Sequence, residues 1–323
     1  MKRPHRRQIL HLVAGAAALP ALPCTAVAFD YPTRPLHIVV GFPPGLQPDI
    51  GARLVGQRLS ERLGQPVVID NRPGASSDIG TKLVVNASPD GYTLLAVTPA
   101  NAINTSPYDN LTFNFIRDIA PVAIIGRGAF VMLVNPALPA RTVPEFIAYA
   151  KANPHKINMA FPAVLVHLFE EMLKMKTGID LVYVPYSGST SYPDLLSGQV
   201  QATFATVTSS IGYIKAGKLR ALGVTTATRV EALPDVPPIS QFVPGFEGDG
   251  WLGIGAPRNT PTEIIDKLNK EINAVVADPK MKTRFVELGI AQASGTPAQF
   301  GNFITDETEK WSKVIKFANV KPG

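Results

Sequence analysis

Short apolar runs alternate with longer amphipathic stretches over most of the chain. The first run, Leu36 to Val40, predicts a buried strand, and a Gly/Pro turn at Gly41 to Gly45 separates it from a helix that begins near Pro48. Proline suits the first turn of a helix because its missing N–H has no partner there. This part of the chain predicts strands at 36–40, 67–69 and 92–97 and helices at 48–63 and 78–85.

The same alternation resumes near Val131 and continues to the end of the chain. It is typical of parallel sheets with crossover helices. Further strands are predicted at 157–160, 181–184, 201–205, 219–225 and 251–256, and further helices at 143–152, 164–176, 261–277, 280–288 and 297–317.

Two α/β lobes are the economical arrangement of these elements. We expect the three C-terminal helices to return to the first lobe, which makes that lobe discontinuous and gives two crossings between the lobes. The first lobe then comprises residues 29–130 and 250–323, and the second comprises residues 131–249. Ligands of open α/β sheets lie beyond the carboxyl ends of the strands, so we expect a ligand cleft between the lobes.

The N-terminus reads as a secretory signal peptide. Lys2, Arg3, Arg6 and Arg7 precede the apolar run 9–22, and a small-x-small cleavage pattern ends at Ala28. Removing residues 1–28 leaves 27 Lys+Arg against 25 Asp+Glu, so the net charge falls from +6 to +2. The paired arginines leave both Sec and Tat export open.

The composition of the mature chain argues against several classes of function. The single cysteine, Cys24, lies within the predicted signal peptide, which excludes disulfides and thiol catalysis in the mature chain. Its histidines, His37, His155 and His167, are widely spaced, so we expect neither a metal site nor a cofactor. The small net charge and the lack of a basic stripe argue against nucleic acid. No downstream segment is long and apolar enough to span a membrane, since Arg127 interrupts the longest one.

No nucleophile or dinucleotide motif supports an enzyme. The serines Ser187, Ser189 and Ser191 lack the Gly-x-Ser-x-Gly pattern of a nucleophile elbow and fit a helix N-cap better. The stretch Gly253 to Gly255 lacks a third glycine and runs into Pro257, which argues against a dinucleotide fingerprint.

Several motifs occur together and in order along the chain. They are GFPPG at 41–45 followed by Asp49, DNRPGA at 70–75, SPDGYTL at 88–94, AGKLRAL at 216–222, LPDVP at 233–237 and NTP at 259–261. Because of these motifs, residues 30–318 resemble the Bug family, which comprises the TctC-type periplasmic solute receptors of tripartite tricarboxylate transporters.

The resemblance implies a type II periplasmic-binding-protein fold, in which two α/β lobes close on one small ligand and perform no chemistry. It also implies that main-chain N–H groups and waters hold ligand carboxylates, at the loop after the first strand and at a second-lobe loop. A Gly-rich turn before a helix N-terminus is physically suited to that role, since it offers free N–H groups and the positive end of the helix dipole.

This chain departs from the family pattern in three places. Leu46-Gln47-Pro48 replaces a glycine-rich stretch, so one N–H donor is lost and a bulky side chain is added. The apolar segment 161–166 replaces a polar loop before His167, and Ala205 stands where many members have Asp. We therefore expect a less polar or bulkier ligand than a simple dicarboxylate, or a receptor that has lost ordinary binding.

The candidate ligand-binding residues follow from the loops that these arguments single out. They are Phe42, Pro43, Gly45, Leu46, Gln47, Asp49, Thr98, Phe161, Ala163, Val164, Tyr186 and Thr206. Asp49 has an alternative role as a first-turn acid that closes the loop. His167 is an alternative ligand contact, although a lone histidine on an apolar helix is more often a packed residue.

The leading hypothesis is a monomeric periplasmic receptor that captures a small organic acid or related metabolite and delivers it to membrane transporter subunits. A ligand sensor that feeds a two-component system, an orphan receptor with a degenerate site and a secreted hydrolase are the alternatives.

Overall fold

The computed structural model describes residues 30–104, 113–186 and 191–318 of the 323-residue chain. The predicted signal peptide, Ser187 and Ser189 lie outside these residues. The strands are β1 (Leu36–Val40), β2 (Val67–Asn71), β3 (Thr93–Val97), β4 (Ile119–Gly128), β5 (Phe130–Val134), β6 (Asn158–Phe161), β7 (Val182–Pro185), β8 (Ala202–Thr206), β9 (Arg220–Val224), β10 (Gly250–Pro257) and β11 (Ile290–Gln292). The helices are α1 (Gln47–Leu63), α2 (Asp78–Val85), α3 (Pro99–Asn104), α4 (Phe115–Asp118), α5 (Val143–Ala152), α6 (Val164–Thr177), α7 (Ser191–Ser197), α8 (Val207–Lys215), α9 (Thr262–Val276), α10 (Pro279–Glu287) and α11 (Pro297–Ala318).

The strands form two separate sheets. The first has the order β11-β4-β10-β3-β1-β2 and the second the order β7-β6-β8-β5-β9. Both sheets belong to one compact unit that begins at Pro32. The chain passes from the first sheet to the second between β4 and β5, and it returns between β9 and β10.

The expectation of parallel sheets is wrong for part of each sheet. β1 pairs in parallel with β2 and β3, and β6 pairs in parallel with β7 and β8, as the alternation with helices predicts. In contrast, β10 is antiparallel to both β3 and β4, and β5 is antiparallel to β8 and β9. These strands connect the sheets to each other instead of following a crossover helix, so the right-handed βαβ rule does not set their direction.

Each sheet has its own apolar core, and α11 contributes to both. Near its start, Phe300 and Ile304 pack with Trp251 in the core of the first sheet. Near its end, Trp311 packs with Phe169 in the core of the second sheet, where the two ring centroids are 5.6 Å apart. The last helix is therefore a third link between the two sheets.

Within the described residues, no helix has the length and apolar character required to cross a bilayer.

Candidate functional site

A cavity of about 440 Å³ lies between the two sheets, at the carboxyl ends of their parallel strands. Its walls include Phe42 after β1, Thr98 after β3, Pro162 after β6 and Tyr186 after β7, with Thr206 at the end of β8. This is the position at which open α/β sheets bind ligands. The volume falls within the range of small-molecule sites.

The structure brings nine of the twelve candidate residues to the wall of this cavity. These nine are Phe42, Pro43, Leu46, Gln47, Thr98, Ala163, Val164, Tyr186 and Thr206. The other three, Gly45, Asp49 and Phe161, are not among the residues that line it.

Asp49 closes the loop before α1 from a buried position. Its carboxylate accepts hydrogen bonds from the Gly45 N–H at 2.8 Å, from Arg53 at 2.9 Å and from the Asn71 side chain at 2.9 Å. Burial by itself raises the pKa of Asp49, but these hydrogen bonds outweigh it and lower the pKa below the ordinary value. The geometry thus corresponds to the loop-closing alternative for Asp49, with Arg53 neutralising its charge.

Two helices point uncapped N-termini at the cavity from opposite sheets. α1 follows Leu46 and α6 follows Ala163, and neither residue has a side chain that caps the helix. The first turns of both helices line the cavity, through Gln47 in α1 and Val164 in α6. Helix N-termini carry unpaired N–H groups and the positive end of the dipole, so this arrangement favours a negative group.

No charged side chain lines the cavity among the described residues. Its polar contributions come from hydroxyl and amide groups, such as Ser77, Thr98 and Thr206, while most of the lining is apolar. A ligand anion in this cavity must therefore be held by backbone groups, hydroxyl groups and water.

Aromatic rings form much of the apolar lining. Phe42, Tyr186 and Trp251 lie at the ends of predicted strands, and all three line the cavity. Phe130 and Phe204 were not predicted and also line it. The phenol of Tyr186 donates a hydrogen bond of 2.6 Å to Asp194, so its hydroxyl proton is already committed to a protein partner.

The segment 74–77 forms part of the cavity wall, through Gly74, Ser76 and Ser77, although none of its residues is among the candidates from the sequence. Ala75, Ser76 and Ser77 have φ angles of 43°, 50° and 82°, in the left-handed region that costs non-glycine residues energy. A Cβ on Gly41 would lie 2.0 Å from the Ser77 Oγ, so this segment approaches the loop after β1 closely. The signal for it in the sequence was only a Gly-Ala-Ser-Ser run before a helix.

A hydrogen-bonded network supports that strained segment from behind. The Asn101 side chain donates to the Thr81 Oγ1 at 2.8 Å and to the Ser77 Oγ at 3.4 Å, and it accepts from the Thr98 N–H at 2.8 Å. All four residues are buried. The network connects β3, α2 and α3, which is why no local pattern in the sequence revealed it.

On the opposite wall, hydroxyl groups order the N-terminus of α8. Thr206 accepts from the Ser209 N–H at 3.3 Å, and the Ser209 and Tyr192 hydroxyls lie 2.8 Å apart. Burial raises the pKa of Tyr192 to about 12. Tyr192 is therefore neutral at physiological pH and presents a hydroxyl, not a charge, to the cavity.

His167 is not among the lining residues, and the structure places it as a packed side chain. Its ring stacks on Phe161 at 4.4 Å and meets the edge of Tyr183 at 5.2 Å. Burial lowers the pKa of His167, so the ring is neutral. Behind it, Glu170 is fully buried, and neither of its carboxyl oxygens has a hydrogen-bond partner among the described residues.

The described residues contain no cluster of His, Cys, Asp and Glu with the geometry of a metal site. A second cavity, of about 420 Å³, lies next to the chain crossings. It is lined by the partly buried ion pair between Arg127 and Asp249, whose nearest atoms are 2.6 Å apart.

Comparisons with known proteins agree on one family. The model of the tripartite tricarboxylate transporter family receptor, TctC, matches residues 51–320. Protein BugT of Bordetella pertussis is 33% identical over 300 residues, which cover 91% of this chain and 92% of BugT.

Solved structures give the same result. Rpa4515 of R. palustris, a structure with adipate, is 36% identical and has a TM-score of 0.85 over 90% of this chain and 99% of that one. MatC (Rpa3494) from Rhodopseudomonas palustris, with bound malate, is 26% identical and has a TM-score of 0.81 over 88% of this chain and 100% of that one.

Proposed function

Because this chain belongs to the tripartite tricarboxylate transporter receptor family, we propose that its cavity binds one small organic acid for delivery to membrane transporter subunits. Membership confirms the family resemblance, the two-lobed α/β fold and the expectation of a solute receptor instead of an enzyme. Binding is therefore the activity to measure.

The observation that carries the proposal is the pair of uncapped helix N-termini, those of α1 and α6, that face one cavity from opposite sheets. Together they supply positive potential without a lysine or arginine. A carboxylate gains typically about 0.3 to 1 kcal/mol from each such dipole at exposed sites, and up to about 2 kcal/mol where the site is partly buried. The adipate and malate held by the two relatives are small carboxylic acids of the class that this site suits.

The neutral lining restricts the ligand further. Two or more carboxylates in one apolar cavity require several charge-assisted partners, because an unpaired buried charge is costly. The rings of Phe42, Phe130 and Trp251 instead offer contact to an apolar body. We propose an acid with a substantial apolar part, in agreement with the losses of polarity at Leu46, Pro48 and Ala205.

Closure on the ligand is proposed to occur about the two crossings. We retain the division into residues 29–130 with 250–323 and residues 131–249 as a proposal, with α11 as an additional contact between the lobes. Contacts from both lobes to one ligand favour the closed form, as in hinge closure generally.

Export and assembly belong to the same proposal. We propose that residues 1–28 direct the chain to the periplasm, by Sec or Tat, and that the mature receptor is a monomer that presents its ligand to transporter subunits. Size-exclusion chromatography with light scattering tests the monomer, and N-terminal sequencing of the exported protein tests the cleavage site.

The binding proposal is tested on residues 29–323, after co-purified ligand has been removed by unfolding and refolding. Melting temperature is measured against dicarboxylates, aromatic acids, matched amides and neutral metabolites. A ligand at 100 times its Kd adds about 2.7 kcal/mol, and each kcal/mol raises the Tm of a chain of this size by about 2 to 4 °C. A shift of several degrees confined to carboxylic acids supports the proposal, whereas no shift with any acid in a cooperatively folding protein contradicts it.

A further inference from the structure

The side chain of Gln47 lies in the wall of the cavity, next to both chain crossings. Gln47 is the first residue of α1, lines the cavity and is only 8% exposed. It lies over Gly128, the last residue of β4, and Gly250, the first residue of β10, which pair with each other across the sheet. Both chain crossings therefore meet beneath this amide.

The two glycines provide the space that the amide fills. A Cβ on Gly128 would lie 2.3 Å from the Gln47 Nε2, which is closer than carbon and nitrogen atoms approach. A Cβ on Gly250 would lie 3.3 Å from the Gln47 Oε1 and 3.0 Å from the ring of Phe130. The amide thus lies against a pair of glycines, and a side chain at either glycine would crowd it.

The Gln47 amide is without a hydrogen-bond partner in the part of the chain that the structure describes. Among the described residues, no hydrogen bond joins the Gln47 Nε2 or Oε1 to another group, although the residue is more than nine-tenths buried. A primary amide carries two donors and an acceptor oxygen with two lone pairs. Neither atom of the Gln47 amide is among the fully enclosed, unpartnered polar atoms of the described residues, so both are open to the cavity, and a ligand group that enters it can pair with them.

We propose that Gln47 determines specificity by pairing with a neutral ligand group that has a donor next to an acceptor, of which a carboxamide is the simplest. This inference rests on the proposed function and refines its ligand class. A carboxylate accepts a hydrogen bond from Nε2 but has no hydrogen to donate to Oε1, whereas a carboxamide satisfies both atoms. Either orientation of the Gln47 amide presents one donor and one acceptor to such a group.

The N-termini of α1 and α6 are consistent with a neutral ligand group at Gln47. Pro48 removes an N–H from the first turn of α1, beside Gln47, whereas α6 has no proline in its first turn. The stronger anion position is therefore the N-terminus of α6, at Val164. We infer a ligand with one ionised carboxylate near α6, an apolar body along the aromatic rings and a carboxamide at Gln47.

Calorimetric titration with matched acids tests this inference. Succinate, glutarate and adipate are each compared with their monoamide and their diamide, at one pH and ionic strength. We expect the best monoamide to bind at least about tenfold more tightly than its dicarboxylate, a difference of about 1.4 kcal/mol, and the diamide to bind more weakly than the monoamide.

The variant Gln47→Met keeps the length of the side chain and removes its hydrogen bonding. We expect it to reduce the preference for the monoamide to less than about threefold. Gln57→Met, at an exposed position of the same helix, is the matched control and keeps the preference. If Gln47→Met does not fold, the wild-type comparison of monoamide with dicarboxylate decides alone.

The outcomes separate the two proposals. The role of Gln47 is overturned if dicarboxylates bind as tightly as their monoamides, or if the monoamide preference survives in Gln47→Met. Either result leaves the proposal of an organic acid receptor intact. If no acid and no monoamide of the series binds, the role of Gln47 is overturned, and the proposed function is decided by the wider panel of acids in the melting-temperature scan.

Discussion

Glu170 is the residue at which the effect of burial on the pKa of a carboxyl group can be tested. It lies on α6 with no exposed surface, and neither carboxyl oxygen has a hydrogen-bond partner among the described residues. Burial raises the pKa of Glu170 well above its ordinary value, and the neighbouring charge of Glu171 raises it further. The nearest basic group, the Nδ1 of His167, is 3.8 Å away and belongs to a neutral ring.

The sign of the pH dependence follows from these facts. Above the pKa of an unfolded glutamate, about 4.3, the unfolded chain releases this proton while the folded chain retains it. The contribution of Glu170 to stability is therefore complete below that pH and is lost as the pH rises toward its folded pKa. The loss amounts to about 1.4 kcal/mol of the free energy of unfolding per pH unit in that window.

Glu170→Gln removes the titration and keeps the shape and polarity of the side chain. We expect the free energy of unfolding of this variant to increase relative to the wild type with each step from pH 5 to pH 7, since only the wild type has Glu170 to ionise. Urea unfolding at pH 5, 6 and 7 measures the difference, and Glu309→Gln, at an exposed position of α11, is the control. A difference that stays constant over this range would falsify the reasoning, because Glu170 would then be ionised and stabilised in the folded protein.

Two further predictions concern packing. Trp311→Ala removes a fully buried ring from the core of the second sheet, and we expect it to lower the free energy of unfolding by about 3 to 5 kcal/mol. Urea unfolding measures this loss, and a loss below about 1 kcal/mol would show that α11 is not a structural link between the sheets. Gly41→Ala places a Cβ 2.0 Å from the Ser77 Oγ and is expected to cost about 1 to 3 kcal/mol. Adding Ser77→Gly should recover most of that loss in a double-mutant cycle, and purely additive effects would refute the close contact.

Much of the secondary structure was predictable because its signals are local. The helix at 143–152 and the strand at 36–40 have the predicted bounds, since apolar periodicity, a Thr142 N-cap and a Gly/Pro turn mark their ends. In contrast, β4 was not identified as a strand. The run from Ile119 to Val134 is apolar almost throughout, so it has no period to distinguish strand from helix, and in the structure it forms β4 and β5.

The candidate site was predictable as a set of loops and less so as a set of contacts. Strand ends followed by glycine, proline or aromatic residues identified nine positions that line the cavity. The same reasoning included Asp49, which turns inward to Gly45, Arg53 and Asn71. A carboxylate in a first helical turn has the same sequence pattern whether it faces a ligand or its own loop, and only the positions of its partners decide between them.

The sequence by itself determined the order of most strands and helices, the family and, as predictions, the export signal and the reduced polarity of the cleft. Each of these depends on residues that are near in the chain or on motifs kept in order. The tertiary structure alone decided the antiparallel direction of β10 and β5, the approach of Ser77 to Gly41 and the position of Gln47 over Gly128 and Gly250. Gln47 and Gly250 are more than 200 residues apart, and no local periodicity encodes a contact of that kind. It arises when two chain crossings bring glycines beneath the first turn of a helix, where the absence of side chains leaves room for one amide.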